Sequence, residues 1–461
     1  MRFKGTLILL LVFAALGGYV YLTDFYGKEA RDKQEEAKKR LFGGEAKDVT
    51  ELSLENAGRT LTAVRKGEKA WEITSPAGLE ADSEAWDQLA TTFVEVQKDE
   101  VVKKEKADLA AYGLDKPGIV VQAKLKDGKT QSVLIGAENP KKTFNYAKRG
   151  DSEEVFLLSS PNASSFKKTP TDLRNKKVLD FESDSIDAVR ITSAGKPDIE
   201  IQKSGSDWSI KKPLETRADN AEVLSVLSAI QFSRASAFAD EKIDDKAAGL
   251  DAPVARVILH DQKAGQDKTL VFGKSPEKDK YYARDASRPA IFILASEIID
   301  KAKRPVFDWR DKSLVRFGEA GSSGVDQIDI IRGTEKLSLK KTGTDWSTAD
   351  GTKLQQAKVM EILAMIDSEK AIAFDDVAKV GGRNGLDKPR LEIALHEKGK
   401  EIARLQFGSD ASNPAGVYLK SANNPSIQTV KRELYDKLDV RQADLAEPPA
   451  APAAAPAAPS K

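Results

Sequence analysis

From residue 49 to residue 66 apolar and polar side chains alternate with period two, first in VTELSLEN and then in RTLTAVRK. That alternation predicts two half-buried strands. In NAEVLSVLSAI, Val223, Val226 and Leu227 fall at helical spacing and predict an amphipathic helix with one face on a core. The segments GIVVQAKL, SVLIG, FNYAKR and EVFLL read as further strands, with a turn at Asp127-Gly128. Together these elements predict an α+β fold of mixed, mainly antiparallel sheet with packed helices.

The same pattern returns along the chain. YGLDKP at 112–117 reappears as GLDAP at 249–253 and GLDKP at 385–389, so Gly113, Gly249 and Gly385 are 136 residues apart. Asp115, Asp251 and Asp387 follow, then Pro117, Pro253 and Pro389. A glycine suits the left-handed position after a helix, the leucine beside it can make the contact that accompanies such a cap, and proline forbids continuation. The motif is therefore read as a helix-to-strand corner. Trp71, Trp208 and Trp346 recur ahead of each helix, and Tyr146, Tyr282 and Tyr418 recur at the same 136-residue interval. Ten residues after each tyrosine stand Phe156, Phe292 and Gln428. Glycines close a strand at Gly136, Gly273 and Gly408, and D-x-R endings stand at 172–174, 308–310 and 439–441. This period is far longer than that of a solenoid repeat, and each unit can own a core. Three tandem domains are expected, at 45–182, 183–319 and 320–445.

Ahead of them, residues 6–22 form an uncharged, largely apolar run of 17 residues preceded by Arg2 and Lys4. The run is the shortest that spans a bilayer, and the flanking charges keep residues 1–5 cytoplasmic and export the remainder. A cleaved signal peptide ending near Ala15-Leu16-Gly17 is the competing reading. Val20, Tyr21 and Leu22 extend the run beyond that point and favour a retained anchor. Residues 23–44, rich in both charge signs, read as a helical stalk. Residues 446–461 read as an extended Ala/Pro-rich tail. The bulk of the chain is accordingly expected outside the cytoplasm, on a single-pass inner-membrane anchor.

Composition narrows the chemistry. Lys plus Arg number 73 against 72 Asp plus Glu in 461 residues, so the basic excess that nucleic-acid binding requires is missing. With no cysteine there is no thiolate nucleophile, disulfide framework or zinc–thiolate cluster. The two histidines, His260 and His396, lie 136 residues apart, one unit from each other, and read as solvent-facing. FGKS at 272–275 lacks the upstream glycine of a phosphate loop, since Lys268 occupies that position. No catalytic, cofactor-binding or metal-ligating set emerges, and the chain is read as a non-enzyme without a cofactor. A dedicated site belongs where the units differ. Trp309 stands where Leu173 and Val440 are expected to correspond, and Tyr281 stands where Asn145 and Val417 do. Exposed aromatics of this kind serve partner recognition, and buried ones serve packing.

The order of tryptophan, helix, GLDKP, LxxG, YAK and VFLL behind one apolar N-terminal run resembles the bacterial family catalogued as domain of unknown function 4340. The likeness covers nearly all of 45–445 in three copies, the third the most divergent, with Gln428 in place of phenylalanine. It implies an envelope protein associated with gliding-motility-type ABC transport systems, and it carries no catalytic residues. The expected role is a membrane-anchored extracytoplasmic scaffold with protein partners in the envelope, ABC transporter subunits among them. The alternative is a glycan- or peptide-binding module centred on Tyr281 and Trp309.

Overall fold

The structure, a computed structural model, describes residues 12–19, 21, 39–103, 108–239, 243–422 and 424–448. Residues 12–19 are helical. Most of the expected anchor and stalk, and the tail from 449 onward, lie outside the described residues. Among the described residues no helix is long and apolar enough to cross a membrane.

Three sheets carry the fold. The first contains β1 (Val49–Asn56), β2 (Arg59–Lys66), β3 (Ala70–Ser75), β4 (Val101–Lys103), β5 (Ile119–Leu125), β6 (Thr130–Glu138), β7 (Phe144–Arg149) and β8 (Val155–Ser159). Their spatial order is β3-β2-β1-β5-β6-β7-β8-β4. The second contains β9 (Ile186–Ser193), β10 (Ile199–Ser204), β11 (Asp207–Lys212), β12 (Thr216–Arg217), β13 (Ala237–Phe238), β14 (Ala255–Asp261), β15 (Gln266–Phe272), β16 (Lys280–Asp285) and β17 (Phe292–Ala295). The third contains β18 (Gln327–Arg332), β19 (Glu335–Thr342), β20 (Asp345–Thr348), β21 (Ala373–Asp375), β22 (Leu391–Glu397), β23 (Lys400–Ser412), β24 (Ala415–Ser421) and β25 (Ile427–Val430). The second sheet runs β12-β11-β10-β9-β14-β15-β16-β17-β13 and the third β20-β19-β18-β22-β23-β24-β25-β21. Apart from the short added edge strand β12, one strand order serves all three. The pairing is antiparallel, as in β1 with β2, β10 with β9 and β18 with β22.

A 13-residue helix precedes the short edge strand of each sheet: α1 (Ser83–Glu95), α2 (Asn220–Phe232) and α3 (Gln356–Ser368). Helix α1 is capped by the Asp82 carboxylate accepting from the Ala85 amide, and it buries Trp86, Leu89, Ala90, Phe93 and Val94. A side-chain cap and one apolar stripe are what the local sequence needs to start and seat a helix. The recurrent tryptophans are core residues, Trp71 at 5%, Trp208 at 2% and Trp346 at 1% exposure. Each is tied to its helix in the same way. The Trp71 amide donates to Ser83 Oγ at 3.0 Å, the Trp208 amide to Asn220 Oδ1 at 2.9 Å and the Trp346 amide to Gln356 Oε1 at 2.8 Å. The first helical residue thus satisfies a strand-end donor, three times over.

A short helical segment precedes the corner in the first two copies, at Ala110–Tyr112 and Asp245–Ala248, whereas turns alone precede it in the third. Gly113, Gly249 and Gly385 all have positive φ, at 64°, 72° and 65°. The leucines after them are buried, at 3%, 8% and 3% exposure for Leu114, Leu250 and Leu386. Asp115, Asp251 and Asp387 face solvent, and Pro117, Pro253 and Pro389 are half-buried, as are Tyr146, Tyr282 and Tyr418. The second set of glycines is explained by the first. A methyl group on Gly136, Gly273 or Gly408 would collide with the carbonyl oxygen of Tyr112, Ala248 or Asn384, the residue before each corner glycine. The corner sits directly on a strand backbone, and only glycine admits that approach. Gly273 is one of these contacts, and the Lys-Ser after it belongs to no phosphate loop.

By contacts the chain groups into two compact units. One comprises Met1–Glu182, Ala229–Arg256 and Lys268–Glu297; the other comprises Ser183–Ser228, Val257–Asp267 and Ile298–Lys461. Within the first unit a core cluster built on Trp71, Trp86, Phe93, Phe156 and Phe166 packs between the first sheet and α1. Within the second, Trp346, Ile362, Leu363, Phe407 and Leu438 form the matching cluster on the third sheet and α3.

Candidate functional site

The D-x-R endings resolve into a joint. Leu173 and Trp309 form the same contact in their own sheets: the Asp82 amide donates to the Leu173 carbonyl at 3.0 Å, and the Asp219 amide to the Trp309 carbonyl at 2.8 Å. In the third sheet the Gln355 amide donates to the Leu445 carbonyl, at 2.8 Å. The structural counterpart of Leu173 and Trp309 is therefore Leu445, within Asp444-Leu445-Ala446, and the expected match to Val440 is corrected. The corrected spacing is again 136 residues from Asp172 to Asp308 and from Asp308 to Asp444. Where the first two sheets carry Arg174 and Arg310, the third carries Ala446.

Those two arginines share one geometry. Arg174, 3% exposed, lies over the Phe238 ring at 3.7 Å, and Phe238 belongs to β13 of the second sheet. Arg310, 2% exposed, lies over the Phe374 ring of β21 at the same 3.7 Å. Arg310 also donates to Asp376 at 2.9 Å and to Ser426 Oγ at 2.9 Å. Each arginine leaves the end of one sheet and stacks on the edge strand of the next. After the third sheet no further edge strand follows among the described residues, and alanine takes the position. Arg441, which the local motif singles out, is exposed; its guanidinium pairs with the exposed Glu335 at 3.4 Å and its amide donates to Asp444 at 2.7 Å. Arg310 spends its charge in the joint on Phe374, Asp376 and Ser426, and Arg174 stacks on Phe238 in the same manner.

The aromatic candidates do not form a surface platform. Trp309 is 2% exposed and fills the slot held by Leu173 and Leu445, which are 0% and 1% exposed. Tyr281 is half-buried on β16, paired with Leu294 of β17. Its counterpart Asn145 is buried and donates to the Gly136 carbonyl at 3.2 Å, and Val417 is fully buried.

The histidines differ from each other. His260 is half-buried, with its side chain 43% exposed, and its Nδ1 lies 2.9 Å from Asp267 Oδ1. That carboxylate, with the neighbouring Asp187, raises the His260 pKa above its usual 6.5. His396 is not solvent-facing as expected: its Nε2 sits 3.0 Å from Oδ2 of Asp329, which is 3% exposed. Burial opposes the Asp329 charge, yet hydrogen bonds from Ser338, Lys336 and Gln327 outweigh it and lower the pKa. Ser338 Oγ donates to Asp329 Oδ1 at 2.7 Å, so aspartate stands between serine and histidine. A hydrolytic triad needs histidine in that middle place, touching the nucleophile. The constellation is a satisfied polar cluster on a sheet. Among the described residues no group of three or more histidine, aspartate or glutamate side chains is arranged to hold a metal.

A polar cleft of about 260 Å³ opens in the second unit, lined by Glu215, Arg217, Asp311, Ser313, Arg316 and Ser421 among others. Several of its groups are engaged with neighbouring residues. Arg316 pairs with Asp207, Lys370 donates to Ser313 Oγ at 2.9 Å, and Ser421 Oγ donates to the Leu314 carbonyl at 2.8 Å. These bonds hold the segment after Arg310 in place and spend the polarity that a ligand would use.

Comparison with known proteins adds little on chemistry. No curated protein matches the chain. Among solved structures, that of a DNA polymerase sliding clamp from Pseudomonas aeruginosa aligns over 86% of this chain and 95% of that one. The identity is 8% and the TM-score 0.16, an overlap that carries no argument. A family profile matches the chain twice, at 71–253 and at 208–383 and so over more than half its length: the protein belongs to the family described as domain of unknown function (DUF4340).

Proposed function

We propose that this chain is a non-enzymatic scaffold or interaction protein of the bacterial envelope. It presents three copies of one folding unit outside the cytoplasm from an N-terminal membrane anchor, as an accessory to an ABC-type transport system. The observation that carries this reading is the use made of the recurrent residues. Tryptophans fix helices, glycines admit corners and arginines join sheets, so the positions common to the units are spent on construction. The shared strand order of the three sheets supports the copy number. The apolar run at 6–22 behind Arg2 and Lys4 supports the anchor and its orientation. The transport association rests on the family likeness. One spanning helix forms no pathway, so the role is auxiliary.

The test is crosslinking in intact cells, followed by fractionation and purification from solubilised membranes. The expected outcome is recovery in the inner-membrane fraction, with the bulk open to protease from the periplasmic side and transporter subunits crosslinked to it. Recovery in the cytosol, or purification without any envelope partner, overturns the proposal.

A further inference from the structure

The units differ most usefully at one buried position. Ten residues beyond Phe156, Phe292 and Gln428 stand Phe166, Ala302 and Leu438. Phe166 and Leu438 are fully buried and fill their cores, both at 0% exposure. Ala302, 1% exposed, leaves that volume empty, and it lines a cavity of about 310 Å³ in the second unit. Ile191, Ile199, Pro197, Pro213, Pro305 and Val306 form most of the remaining wall.

Two further changes keep the space open. The first two strands of the first and third sheets are joined by two residues each, 57–58 and 333–334, but β9 and β10 are joined by five, 194–198. Pro197 lies in that longer connection and cannot extend the strand ladder. The last residue of the leading strand also differs. Asn56 donates to the Lys168 carbonyl at 2.8 Å and Arg332 donates to the Val440 carbonyl at 2.5 Å, each closing its sheet against the segment that follows the small helices. Ser193 holds the same place in the second sheet and is too short to reach across. Its Oγ is shielded from solvent and has no hydrogen-bond partner among the described residues. Lys196, from the longer loop, donates instead to the Lys303 carbonyl at the rim.

The cavity thus has a hydrocarbon interior and a cationic edge. Arg304 is paired with Glu222 at 2.7 Å, whereas Lys196 is engaged only with a carbonyl among the described residues. No carboxylate lines the cavity. The volume is at the lower bound of small-molecule sites, roughly 300–1,000 Å³. It is about twice that of an engineered apolar cavity that holds benzene. We propose that this pocket binds a small amphipathic carboxylate, its aromatic or aliphatic body in the space vacated at Ala302 and its carboxylate at the loop end beside Ser193 and Lys196. The inference concerns a ligand, and it stands whether or not the chain serves a transporter.

Isothermal titration of the purified full chain with 3-phenylpropionate, octanoate, 3-phenylpropanol and 3-phenylpropylamine tests it. Saturable binding of either carboxylate, at least tenfold tighter than the amine, is expected, and the ratio of the two acids distinguishes an aromatic source from an acyl one. Ala302→Phe and Ala302→Leu, which install the residues used in the other two sheets, should each weaken binding at least tenfold without lowering the unfolding temperature. Lys196→Gln should reduce the preference for carboxylate over alcohol at least fivefold. The proposal is overturned if the wild-type chain binds neither acid, if both Ala302 variants bind as it does, or if the amine binds as tightly as the acids.

Discussion

Replacing Arg310 with alanine removes three interactions at once. Its guanidinium, 2% exposed, stacks on Phe374 at 3.7 Å and donates to Asp376 and Ser426, both at 2.9 Å. A desolvated cation–π contact is worth about 2 kcal/mol. A hydrogen bond from a charged donor adds about 1.5 kcal/mol. Losing one partner of a fully buried ion pair costs about 3–5 kcal/mol, but the Asp376 side chain retains 36% exposure and water screens much of that. The sum expected for Arg310→Ala is about 3–4 kcal/mol, dominated by the stack and the bond to Ser426. Arg310→Lys keeps the charge without the planar fork and should fall between alanine and wild type. Arg441→Ala is the control, because its pair with Glu335 is exposed on both sides and such pairs are worth well under about 1 kcal/mol. Urea unfolding of the full chain, followed by tryptophan fluorescence, reads the difference. With a slope of about 2–3 kcal/mol per molar, Arg310→Ala should lower the midpoint by roughly 1 M or more. Equal midpoints for Arg310→Ala and Arg441→Ala would refute both the joint and the corrected register.

Gly408→Ala forces a methyl group onto the Asn384 carbonyl and should cost about 2–3 kcal/mol by thermal unfolding. Gly118→Ala, which meets nothing within 4 Å, should stay within about 0.5 kcal/mol, and equal losses would remove the close-approach explanation. His260 should titrate by NMR above 6.5, because the Asp267 carboxylate favours its protonated form. A raised folded-state pKa means that any stability it contributes is complete below about pH 6.5 and is lost as pH rises through the folded value. Asp267→Asn should bring the titration back toward 6.5, and an unchanged midpoint would exclude that pairing.

The corner motif was legible because its causes are local. A left-handed glycine, a buried leucine and a proline that stops the helix all lie within five residues, and backbone sterics dictate the outcome before any packing occurs. The alternating strands and the amphipathic helix were legible for the same reason, as was the recurrence of Trp71, Trp208 and Trp346 as core anchors. In the third sheet Asp439-Val440-Arg441 matches the D-x-R motif locally, while a hydrogen bond from Gln355 to Leu445, 90 residues along, sets the register. Exposure decided the aromatic candidates, and nothing in the residues beside Trp309 reveals that its ring replaces a core leucine.

Local chain chemistry, then, wrote the elements, their order and their 136-residue recurrence, since φ/ψ preference and periodicity act over a few residues. Tertiary structure alone decided which recurrent arginine is buried, why two sets of glycines must face each other, and that alanine in place of Phe166 leaves a hollow at Ala302. A cavity is the absence of atoms among segments distant in sequence, here 191–199, Pro213 and 302–306, and no run of residues can announce what fails to meet until the chain has closed around it.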